Sequence, residues 1–142
     1  MAGTWFNRTW EMLDQPSRSP DDDAALVHAT HASVHHWSEA ATIPYVARGE
    51  WLCAGVYWEL AHAEPALWHA RRCLTLVQAG GDGSADWDLA PAHEAVARAH
   101  SVAGELDSAV QQAGLARAAL ERVTDADDRV VVEADLDALA LD

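Results

Sequence analysis

The sequence predicts an all-α fold: one domain of 142 residues in which about seven helices are arranged as antiparallel hairpins. Three observations carry this expectation. Half of the residues are apolar, enough for one sizeable core in a chain of this length. β signals are scarce, and the one β-branched run, RVVVE at 129–133, sits inside a longer helical pattern. Proline, glycine and small polar residues divide the chain at helix-length intervals and leave only short links. Short links force sequence neighbours to pack antiparallel.

The elements follow in order. Residues 3–15 read as a short helix closed by QPSRSP. Ser19 is placed to cap the next, with Pro20 in its first turn and Asp21, Asp22 and Asp23 facing the positive end of the helix dipole. That helix runs to about residue 41 and stops before Pro44. A third spans 46–62. Glu64-Pro65 opens a fourth, which ends at Gly80-Gly81. GGDGSADW is the one clear loop, and Asp88 can cap a helix over 88–103 with Pro91 in its first turn. Gly104 to Asp107 link it to a helix at 108–123, and TDADD opens the last, which runs to about residue 139.

Charge limits the partners. The formal net charge is -14, lysine is absent, and every fixed cation is arginine. Such a surface repels phosphate backbones and anionic membranes, so neither nucleic acid nor membrane is expected as a partner. No apolar run is long enough to span a bilayer, and the opening residues MAGTWFNRTWEML lack a signal-peptide pattern. A cytoplasmic location is the expectation, and the alanine- and arginine-rich composition fits a high-G+C bacterial genome. Cys53 and Cys73 are not spaced as a CxxC pair and read as small buried apolar residues.

The chain repeats itself. Ala25-Leu26-x-x-Ala29-x-x-Ala32 recurs as Ala66-Leu67-x-x-Ala70-x-x-Cys73 and as Ala109-Val110-x-x-Ala113-x-x-Ala116. Small residues at this spacing share one helix face and let a partner helix come close. In the preceding helices, Cys53-Ala54-x-x-Tyr57 corresponds to Val96-Ala97-x-x-His100. This pattern resembles the tetratricopeptide repeat (TPR), closely over 46–123 and more loosely over 3–41. It is also similar to small TPR-like proteins of high-G+C bacteria. The copies are 41 and 43 residues apart, longer than the family's spacing of about 34, and the closing proline is missing. An alanine-rich bundle without true repeats would show similar spacing.

The resemblance implies a short stacked array with a concave groove lined by the first helix of each hairpin. Carried over position by position, it implies ligand contacts at Arg48, Trp51, Gly55 and Trp58 in one copy, and at Pro91, Glu94, Arg98 and Ser101 in the next. Two tryptophans offer an apolar floor, and two arginines can grip a carboxylate or phosphate. Glu94 and Arg98 are also four apart and can pair along their own helix. The expected role is a binding module for an anionic peptide, a partner protein or a small anionic molecule. Apolar faces at the ends of the array allow a homodimer.

The histidines suggest a second chemistry. HATHASVHHW, at 28–37, holds four of the eight histidines. With each residue advancing about 100°, His28, His31, His35 and Glu39 share a stripe, and His36 points away. His31/His35 and His35/Glu39 have the i,i+4 spacing that chelates one ion. Further ligands would come from Glu50, His69 or the Glu59-x-x-His62 pair. A transition-metal protein or metal-dependent enzyme using His31 and His35, with His28 or Glu39, is therefore the alternative function. The same stripe also suits an amphipathic helix boundary, and His28 and His69 occupy matching repeat positions. Arg71 and Arg72, with His69, form a second basic cluster. Asp82, Ser84, Asp86 and Asp88 alternate like calcium ligands, yet Trp87 and His93 stand where an EF-hand requires glycine and glutamate. No nucleophile elbow, phosphate loop or dinucleotide fingerprint occurs.

Overall fold

The computed structural model describes residues 2–40, 42–139 and 141, and the side chains of these except 2, 3, 5 and 40. Seven α-helices follow one another: α1 (Ala2–Leu13), α2 (Pro20–Ala40), α3 (Ile43–Glu59), α4 (Ala63–Ala79), α5 (Leu89–Val102), α6 (Leu106–Leu120) and α7 (Ala126–Asp137). Among the described residues there is no strand, and no helix is long and apolar enough to cross a membrane. Each helix packs on the next in sequence, and α3 and α5, the first helices of successive hairpins, also touch. The result is an array of hairpins, with α7 leaning on α5 and α6.

Local chemistry sets the helix ends. At α2, the Ser19 N–H and hydroxyl both donate to the Asp22 carboxylate at 2.8 Å, and the Asp22 N–H donates back to the Ser19 hydroxyl. This reciprocal cap satisfies donors that the first turn leaves open. α3 begins at Ile43, three residues before the expected start, because Pro44 stands inside its first turn, where a missing N–H costs nothing. Asp88 does not cap α5 with its side chain; its carboxylate is used elsewhere. Asp125 does cap α7, accepting from the N–H groups of Asp127 and Asp128.

Two hairpin turns match atom for atom. After α3, the His62 N–H donates to the Tyr57 carbonyl and the Ala61 N–H to the Trp58 carbonyl. After α5, the Glu105 N–H donates to the His100 carbonyl and the Gly104 N–H to the Ser101 carbonyl. Both are Schellman closures, whose key residue has a left-handed backbone. That residue is Gly104, with φ 78°, in one turn and Ala61, with φ 60°, in the other.

Small side chains form much of the core. Ala66, Ala70, Ala109 and Ala116 are fully enclosed, and Ala66, Ala70 and Ala116 share core clusters with Ala54, Ala95, Ala97 and Ala99 of the first helices. In the first hairpin Leu26 and Ala29 are buried against Met12 and Val56, but Ala25 is exposed. Where α2 meets α3, a Cβ added to Gly49 would stand 3.1 Å from a Val34 methyl. The glycine lets the two helices approach that closely.

Candidate functional site

α3 and α5 line one face of the array, and two adjoining cavities open there, of about 290 Å³ and 350 Å³. Trp51 and Asp135 line both. Of the residues the repeat singles out, Arg48, Trp51 and Pro91 lie along the first cavity. Trp51, Gly55, Trp58, Glu94 and Arg98 lie along the second, and Ser101 lines neither. The side walls come from outside those two hairpins: Phe6 and Trp10 from α1, and Val131, Val132 and Asp135 from α7. The rings form a connected row, with Phe6 6.3 Å from Trp10 and Trp10 5.8 Å from Trp51, centroid to centroid.

Both arginines are paired with carboxylates of their own chain, a pairing that the sequence suggests for Arg98 alone. The Arg48 Nε and one terminal nitrogen donate to the two Asp88 oxygens, each at 3.0 Å, and that terminal nitrogen also donates to the Gly83 carbonyl. The guanidinium is sandwiched between the Tyr45 and Trp87 rings, 5.0 and 4.5 Å from their centroids. Planarity makes both sets of contacts available at once. Arg98 donates to Glu94 at 2.7 Å and to the Asp135 carbonyl at 2.9 Å, and lies over Trp58. The first arginine thus fastens the 80–88 loop to α3, and the second fastens α7 to α5.

With both cations neutralised, carboxylates set the polarity of the hollow. Asp14, Glu59, Asp128 and Asp135 line it and have no ion-pair partner among the described residues. Burial raises the Asp135 carboxyl above its ordinary value, against the pull of Arg98. Asp128 is raised by desolvation and by the neighbouring carboxylates of Asp125, Asp86 and Asp127. Glu94, almost wholly buried, is also raised by burial, with the Arg98 pair opposing. In all three, desolvation is the largest cause, and it disfavours the ionised form.

The histidine stripe divides. His35 pairs with Glu39 at 3.6 Å on the exposed side of α2. His31 turns into the seam between α2, α3 and α4: its Nε2 is 2.8 Å from the Tyr57 hydroxyl, and its ring is 5.2 Å from that of His69. The expected His31/His35 chelate, with His28 or Glu39, is therefore not assembled among the described residues; His31 instead groups with Cys53 and His69. His35 lies four residues on, about 6 Å along α2 and about 40° around it, and is exposed. Glu50 accepts from Arg72 at 3.0 Å and lies 2.6 Å from His69 Nδ1. The second basic cluster is thereby tied to a buried carboxylate. In the next hairpin His93 and Gln112 bridge at the matching positions, 2.9 Å apart. Cys53 and Cys73 are buried, and burial pushes both thiols up to about 12.

Two carboxylates of the acidic loop, Asp86 and Asp88, hold the fold together. Asp88 takes Arg48 and the Ala85 N–H, and Asp86 accepts from the Thr124 N–H and hydroxyl. Sequence reasoning missed the α1 and α7 walls and Trp87, which lie outside the matched repeat positions. Their one signal was a large apolar residue in an otherwise polar stretch, as at Trp87 and within RVVVE. No family model matches this chain, and no curated protein matches it.

Proposed function

We propose that the chain is a TPR-like binding module whose hollow takes a basic amphipathic segment of a partner protein. The apolar side chain of that segment lies against Trp51, and its cation meets Asp128 and Asp135. The observation behind this reading is the pairing of both groove arginines with their own carboxylates, which leaves an apolar floor and an anionic rim. A net charge of -14 adds long-range attraction for a cationic partner. A volume of about 290 Å³ suits one or two apolar side chains more than a large ligand.

Two labelled synthetic peptides test it, identical in their leucines and phenylalanines, one carrying arginines and the other glutamates. The basic peptide should bind in low salt, and the paired change Asp128→Asn and Asp135→Asn should weaken it by about three- to tenfold. Val131→Trp, at a position 62% exposed on the cavity wall, should block entry without unfolding the chain. Equal or tighter binding of the acidic peptide, or indifference to Val131→Trp, would reject this reading.

A further inference from the structure

Behind the groove, the α2–α3–α4 seam gathers a second constellation. Cys53 is two residues from Trp51, about 200° around α3, so it faces away from the hollow. One donor atom each from His31, Cys53 and His69 lies within 4.8 Å of the other two. Three successive helices supply one donor apiece.

We propose that His31, Cys53 and His69 bind a zinc-type divalent transition-metal ion. This stands apart from the reading of the groove. Two imidazoles and a thiolate are the donor set that a borderline-soft ion prefers over magnesium or calcium. Ligands of a tetrahedral zinc stand roughly 3.3–3.6 Å apart, so side-chain rotation of about an ångström closes the site. The groups around the donors are already in place. His69 presents Nδ1 to Glu50, which leaves Nε2 for the ion and makes the carboxylate–histidine–metal arrangement. Arg72 holds the other Glu50 oxygen, and the Tyr57 hydroxyl steadies the His31 ring.

Glu50 is 4% exposed and Cys53 is fully buried, whereas His31 is exposed, so the ion would sit at the mouth of the seam with its thiolate side shielded from water. On binding, a metal–sulfur bond forms and the thiol proton passes to solvent. The thiolate and the Glu50 carboxylate then offset the two positive charges. The three-donor set leaves the fourth position of a tetrahedral ion to water.

The test uses tag-free, metal-free protein titrated with cobalt(II) and then zinc(II). The proposal expects one equivalent of cobalt with a thiolate-to-metal charge-transfer absorption, displaced by zinc. Cys53→Ser should abolish that absorption. Glu50→Gln, a positioning change, should weaken metal binding by about 10- to 100-fold. His35→Ala should leave the titration unchanged. Folded wild-type protein that gives no charge-transfer absorption overturns the proposal without recourse to any variant. Equal loss in His35→Ala and His69→Gln would overturn it by assigning the ion to the exposed stripe.

Discussion

A guanidinium has five N–H donors and two flat faces, and Arg48 uses both kinds of surface. Its edge holds Asp88 and Gly83 while its faces meet Tyr45 and Trp87. A lysine at this position could keep the charge but neither the fork nor the stacking. The position of Arg48 was legible from the repeat, but its role was not, because its partner lies forty residues along the chain. The Glu94–Arg98 pair was legible, since i,i+4 spacing places both on one face. The two matched turns supply a residue-scale prediction. Ala61 holds a left-handed backbone that Gly104 adopts freely in the equivalent turn. Ala61→Gly should raise unfolding stability by about 0.5–1 kcal/mol, read from the urea midpoint at unchanged m-value.

At the scale of helices, the small residues decide how closely the hairpins nest. Ala70 is fully buried where α4 meets α3 and α5, so Ala70→Leu should destabilise by about 1–3 kcal/mol. Ala25→Leu, the first-hairpin counterpart of a core position but exposed, should cost little. Thermal unfolding of the two variants separates a packing stripe from mere helix propensity, which would give them equal effects. The seven helices were legible because glycine, proline and short polar links mark their limits. Boundaries were less so: Pro44 read as a stop, although a first turn accepts proline without loss. Burial of the stripe was legible for the later two hairpins, where the copies agree best.

Across the whole molecule, distant segments are tied by a few polar bonds. Asp86 accepts from the Thr124 N–H at 3.0 Å and from its hydroxyl at 2.8 Å, joining the 80–88 loop to the link before α7. These bonds favour the carboxylate and hold the Asp86 carboxyl below its ordinary value. A lowered folded value adds stability that is present above the unfolded value, near 3.9, and lost as pH falls through the folded one. Asp86→Asn should therefore be less stable than wild type at pH 6, and in urea unfolding the gap should close as pH falls and the Asp86 carboxyl is protonated. A gap that stays constant with pH would show that the bond does not depend on the charge. Such long-range ties were not legible, because nothing local to Asp86 or Thr124 announces them.

The same logic reaches the walls of the hollow. α3 is held by α2, α4 and α5, whereas α1 packs chiefly on α2 and α7 rests lightly on α5 and α6. Local opening starts where burial is least, so α1 and α7 are expected to separate before the central hairpins do. Those two helices are also the sides of the cavity. If the hollow takes the segment proposed for it, admission of that guest and the earliest step of unfolding would share a motion, and tightening the doorway for stability would slow the traffic through it.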